Sequence, residues 1–166
     1  PASPLSVEEA LAKLAHNYFQ SHSPASLQDF IWWSGLSATE ARQAIHSIRS
    51  ELISDRYASQ ELFVHESCPG KTQPDETLHL LPSYDEYLLG YKDRSAVISP
   101  EYYAKAYNSW GIFYPVILYR GKLIGNWQKK GKGKGMKIET SFFESSALPA
   151  PELIQAAIER HKNFYL

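Results

Sequence analysis

The chain has 166 residues, 43% of them hydrophobic and 21% charged, which suits one large domain or two small ones and excludes a disordered chain. No apolar run approaches the roughly 18 residues of a membrane span, and the single cysteine, Cys68, excludes an internal disulfide or a multi-cysteine metal site. The net charge of −1 conceals an asymmetry: residues 120–137 (RGKLIGNWQKKGKGKGMK) hold seven Lys or Arg and no acid, leaving a balance of −8 on the rest.

Ser6 and Glu9 form a capping box that opens a first helix, carrying Leu11, Leu14, Ala15, Tyr18 and Phe19 at helical spacing and ending before Pro24. Ser26 and Asp29 open a second, shorter helix with the body FIWWSG, which Gly35 ends in a left-handed conformation. Ser37 and Glu40 form the third box. The helix they open is expected over about 38–51, with Ala41, Ala44, Ile45, Ile48 and Leu52 as its apolar stripe. A hairpin follows in ISDRYASQELFVH, completing the order of a winged helix-turn-helix domain. The Pro-, Gly- and polar-rich stretch ESCPGKTQPDET places the boundaries at 1–66 for that domain, 67–77 for a linker and 78–166 for a second, β-rich domain. In the second domain PEYYAKAY reads as a short helix. IFYPVILYRGKLIGNWQ reads as two strands joined at Arg120-Gly121, KKGKGKG as a loop, and MKIETSFF as a further strand. A last helix begins at Pro151. The fold class expected is α+β.

Two groups of residues suit nucleic acid. On the third helix Arg42, Gln43, His46, Arg49 and Ser50 lie opposite the apolar stripe, with Arg42, His46 and Arg49 at i, i+4, i+7. Arg and Gln pair bidentately with guanine and adenine edges, and this helix is the one that enters the major groove in a helix-turn-helix. An ordinary solvated helix face has the same composition. The second group is Lys129, Lys130, Lys132, Lys134 and Lys137, spaced by glycines that let the backbone approach phosphates while lysines release counterions. The alternative is a solvated hairpin tip. No Gly-Lys-Ser/Thr of a Walker loop is present.

Other features read as structural. Asp85, Glu86, Asp93 and Arg94 in YDEYLLGYKDR suit a carboxylate bonded to backbone or to Arg94 better than acid–base chemistry. The histidines (His16, His22, His46, His65, His79, His161) have no metal-ligand spacing, so no metal site is expected. Cys68 reads as a bystander, and Trp32-Trp33 as core and interface packing. No Gly-x-Ser-x-Gly elbow is present.

Two stretches are distinctive together. YFQSHSPASLQDFIWWSGLSATEAR joins an aromatic helix end, a Pro-Ala-Ser-x-x-Asp-Phe turn and a Trp-Ser-Gly-Leu turn; LLPSYDEYLLGYKDRS is followed downstream by PVILYRGKLIGNWQ with its Gly-x-Trp. On these blocks the chain resembles the winged-helix DNA-binding family that includes the AlkZ- and YcaQ-type DNA glycosylases. The resemblance implies tandem winged helices with a C-terminal β-barrel-like domain. It implies double-stranded DNA as partner, removal of alkylated or crosslinked bases in the glycosylase members, and no metal or organic cofactor. The family's catalytic Gln-x-Gln motif has no counterpart among Gln20, Gln28, Gln43, Gln60, Gln73, Gln128 and Gln155, so no catalytic residue is carried over. With no initiator Met and no signal-peptide pattern, the chain is expected to be the non-catalytic part of a cytoplasmic protein. Its partners would be DNA and a preceding domain of the same protein, with no membrane and no metal. A transcription regulator, or a structural module that packs on the missing domain, remain alternatives.

Overall fold

The computed structural model describes residues 4–57, 60–68, 76–131, 133–144 and 148–163, the side chain of Lys134 excepted. They form an α+β structure in two compact units. The first is Pro1–Thr72 joined by Leu89–Asp93; the second is Gln73–Leu88 with Arg94–Leu166.

The first unit begins with α1 (Val7–His22), α2 (Leu27–Ser34) and α3 (Ala38–Ser47). All three start with a complete capping box, Ser6 with Glu9, Ser26 with Asp29 and Ser37 with Glu40, so each entry satisfies helix-terminal N–H groups locally. Gly35 ends α2 at φ 70°, a conformation in which a side chain is strained, and its N–H donates to Ile31. One side of each helix meets a shared core of Leu11, Ala15, Tyr18, Phe19, Phe30, Ala41, Ala44, Ile45 and Ile48. Tyr18 is fully buried, and its hydroxyl donates to the Gly90 carbonyl at 2.8 Å.

The third helix is shorter than its apolar stripe predicts. Ile48 leaves helical geometry (φ −113°, ψ 18°), and a 3-10 turn over Arg49–Glu51 leads into β1 (Leu52–Tyr57). The reason is long-range. Leu52 pairs with His65 of β2 (Gln60–His65), and the Glu66 N–H donates to the Glu51 carbonyl, so the hairpin base claims backbone that the helix would have used. The antiparallel register runs from Leu52↔His65 to Tyr57↔Gln60. Only Leu52 of β1 is buried; Phe63 anchors β2, pairing with Ala25 through two backbone hydrogen bonds.

Asp29 is buried and ties Leu89–Asp93 to this unit. Its Oδ2 accepts from the Ser26 N–H (2.9 Å) and hydroxyl (2.6 Å), and its Oδ1 from the N–H groups of Lys92 (2.8 Å) and Asp93 (3.2 Å). Of the adjacent tryptophans, Trp33 lies against Tyr18 as the packing role requires. Trp32 is 51% exposed and donates its indole N–H to the Leu89 carbonyl.

The second unit is built on an open antiparallel sheet in the order β3 (His79–Leu81), β4 (Val116–Tyr119), β5 (Lys122–Lys130), β6 (Lys137–Phe142). Among the described residues these strands do not close into a barrel. β3 overlaps the start of the LLPSYDEYLLGYKDRS block, where the sequence alone predicts no strand. Short helices α4 (Glu86–Leu89) and α5 (Tyr103–Ala106) precede β4, and α6 (Pro151–Asn163) packs on the sheet through Leu78, Ile117, Trp127 and Ala157. Gly125 of β5 sits so close to β6 that a Cβ would lie 2.3 Å from the Ser141 carbonyl oxygen. Arg94 is buried with its guanidinium over Tyr107 (5.0 Å) and Phe113 (5.1 Å), and its Nε donates to the Leu88 carbonyl. Asp85 accepts from the Tyr87 N–H. Among the described residues no helix is long and apolar enough to cross a membrane.

Candidate nucleic-acid interface

The core-facing stripe of α3 fixes which side chains it presents outward. Arg42, Gln43 and His46 are all exposed, on the side opposite buried Ala41, Ala44 and Ile45. Arg42 reaches back to the Ala38 carbonyl at 3.3 Å. Glu40 sits at the start of the same helix, its carboxyl held below its ordinary pKa by the Ser37 hydroxyl and then by the Ser37 backbone N–H.

Arg49 does not extend the i, i+4, i+7 stripe that the sequence predicts. Because α3 ends at Ser47, Arg49 stands in the 3-10 turn and its guanidinium turns to the hairpin. It donates to the Leu52 carbonyl (3.4 Å) and Ser54 hydroxyl (2.9 Å), 5.7 Å above the Phe63 ring. The structure thus groups Arg42, Gln43 and His46 on one helix and assigns Arg49 to the hairpin base. Arg56 and Tyr57 (71% exposed) stand further along β1.

The lysine segment is partly strand. Lys129 and Lys130 end β5 and Lys137 begins β6, so only the intervening residues form the connection. Lys130 pairs directly with Lys137, which puts both on one face of the ribbon. Two like charges are tolerated there because Glu139, on the same face, meets Lys130 Nζ at 2.7 Å and accepts from Gln128 at 3.0 Å. Lys130 chiefly holds the Glu139 carboxyl below its ordinary pKa. Lys129 points to the other face, where its charge adds to burial, the larger cause, in lowering the pKa of His161 on α6. Lys132 and the side chain of Lys134 lie outside the described residues.

A further cluster joins three segments of the first unit. Glu51 Oε2 lies 2.5 Å from His16 Nδ1 and 3.3 Å from His65 Nε2, and the two imidazoles stand edge to face at 5.0 Å. The Glu51 carboxyl is held below its ordinary pKa, first by the hydrogen bond to His16. No sequence spacing announced this group, because its members come from α1, the 3-10 turn and β2.

Comparison with known proteins gives the family. A family model described as "DNA glycosylase AlkZ-like" matches residues 1–164. The solved structure of Streptomyces sahachiroi DNA glycosylase AlkZ superposes with a TM-score of 0.79 over 94% of this chain, at 20% sequence identity, a level that speaks to fold alone. This chain spans 43% of that protein's length. No curated protein sequence matches it. The match along nearly the whole chain establishes that it belongs to the AlkZ-like DNA glycosylase family.

Proposed function

We propose that this chain is a winged-helix module that binds double-stranded DNA and serves as the non-catalytic half of an AlkZ-like DNA-repair glycosylase acting on alkylated or crosslinked bases. The observation that carries the reading is the exposed Arg42-Gln43-His46 face of α3, in a three-helix unit that continues directly into the β1–β2 hairpin. In this reading α3 enters the major groove and the hairpin is the wing, with Arg49 positioned at its base. Lys129, Lys130, Lys132, Lys134 and Lys137 of the basic segment meet the phosphate backbone, without base readout. Membership in a DNA glycosylase family supports the repair assignment. Catalysis itself is assigned to residues this sequence does not contain, since it has no Gln-x-Gln pair.

The two binding surfaces separate by salt dependence. Changing the five lysines of the basic segment to Ala flattens the dependence of log K on log salt by about 0.9 for each phosphate no longer neutralised. Changing Arg42 and Gln43 to Ala weakens binding by about 1–3 kcal/mol for each base edge no longer paired. Fluorescence polarisation of a labelled duplex across a salt series reads both. A lysine variant with the wild-type slope contradicts the role of the basic segment, and an Arg42/Gln43 variant with wild-type affinity contradicts that of α3.

A further inference from the structure

We propose that His16, Glu51 and His65 form a binding site for one divalent transition-metal ion of the zinc class, which ties the base of the hairpin to the first helix. The proposal is independent of DNA binding. It rests on a convergence of donors that no local motif requires: an imidazole nitrogen from α1, a carboxylate oxygen from the 3-10 turn and an imidazole nitrogen from β2, all within 4.8 Å of one another.

Two nitrogens and one oxygen are a zinc donor set, with a fourth position left for water. Around an ion with bonds of about 2.0–2.1 Å, tetrahedral donors stand roughly 3.3 Å apart. His65 Nε2 and Glu51 Oε2 already have that separation, at 3.3 Å. His16 Nδ1 and Glu51 Oε2 are closer, at 2.5 Å, because they share a hydrogen bond. Replacing that proton by the ion requires them to separate by less than an ångström. Both side chains are about one-third exposed, which gives them room to move and gives the ion a path in.

The third donor is fixed. The His65 side chain is only 4% exposed, and its Nδ1 lies 2.8 Å from the Ser67 hydroxyl. A metal-bound imidazole carries its proton on the nitrogen away from the ion and hands it to an oriented acceptor. Ser67 Oγ is placed to be that acceptor. The Ser67 N–H also points at Nδ1, at a longer 3.2 Å, and that hydrogen bond is the one given up when the ion binds. His65 also receives backbone support, since its N–H donates to the Ser23 hydroxyl at 2.8 Å. The consequence is mechanical: the segments of α1, the turn after α3 and the end of β2 acquire a common ligand, and the hairpin gains a rigid root.

The test uses the whole chain, stripped with a chelator and titrated with zinc chloride by calorimetry, with cobalt(II) as a spectroscopic probe. One ion per chain is expected, with the intense visible bands of low-coordinate cobalt(II) and a rise in melting temperature. Glu51→Gln keeps the size of the side chain and an oxygen that still accepts from imidazole, so it keeps the fold while weakening the ion. Glu51→Gln and His16→Asn are expected to lower zinc affinity at least as much as the roughly 10–100-fold typical of losing an outer-shell partner, the effect expected of Ser67→Ala. His79→Asn, in the second unit, leaves it unchanged. Circular dichroism verifies that each variant is folded. Absence of zinc binding overturns the proposal, as does binding that survives both Glu51→Gln and His16→Asn, or that His79→Asn weakens equally.

Discussion

Asp29→Ala will destabilise the first unit by about 3 kcal/mol or more. Asp29 is 4% exposed, and its carboxylate accepts four hydrogen bonds, two from Ser26 and two from the backbone of Lys92 and Asp93. A hydrogen bond to a charged group contributes about 1.5–3 kcal/mol, and buried donors left without an acceptor add their own cost. The total stays below four times that figure, because Lys92 and Asp93 are exposed residues whose N–H groups can turn to water. Two further variants divide the effect. Ser26→Ala removes the cap and costs about 1 kcal/mol. Asp29→Asn retains one acceptor oxygen and presents an amide to groups that need one, so it falls between the two. Urea unfolding followed by circular dichroism measures all three. A loss under about 1 kcal/mol for Asp29→Ala, less than one ordinary hydrogen bond, would show that the fastening of Leu89–Asp93 to α2 is not a stability element.

Gly125→Ala will disrupt the β5–β6 ribbon. The added Cβ would stand 2.3 Å from the Ser141 carbonyl oxygen and 3.0 Å from the Phe142 Cα, both backbone atoms of the neighbouring strand. A side chain could rotate away, but a paired strand cannot. The cost is therefore expected above the roughly 1–3 kcal/mol of an overpacked core. Gly135→Ala is the control: a Cβ there meets nothing within 4 Å, and the change should stay within about 0.5 kcal/mol. Hydrogen exchange resolves the location. Amides of β5 and β6 lose protection in the Gly125 variant while α1 and α3 keep theirs. Wild-type protection in β6 would contradict the close approach. Lys129, Lys130 and Lys137 lie on this ribbon, so under the proposed function the same variant also loses the salt-dependent part of DNA affinity.

What the sequence made legible follows the range of the interactions. The three helix starts were readable because each is a local exchange between a serine and an acid three residues on: Ser6 and Glu9, Ser26 and Asp29, Ser37 and Glu40. The end of α3 was not, because Leu52 continues the helical spacing and only its pairing with His65 withdraws it into a strand. That one displacement also moved Arg49 off the expected stripe. Within the lysine segment, alternation along a strand decided the outcome. Composition makes Lys129 and Lys130 equivalent, but pairing with β6 sends them to opposite faces. β3 has only three residues and takes its identity from β4 beside it. Asp29 was legible as a cap but not as the acceptor for Lys92 and Asp93, 63 and 64 residues on. The His16–Glu51–His65 cluster lies at the far end of this scale, since only the packing of α1 against the hairpin base assembles it.

The proposed function requires that this chain by itself hold double-stranded DNA. It is tested most directly by fluorescence anisotropy of the wild-type chain with a plain duplex and with the same duplex carrying one abasic site, at low salt and again at physiological salt. Binding to both is expected at low salt, weakening steeply as salt rises, with the abasic duplex held more tightly. Equal binding to both would contradict the repair assignment and leave the module a DNA-binding element without lesion preference. No binding to either duplex at low salt would contradict the proposed function, and would make the three-helix unit and its hairpin a packing element.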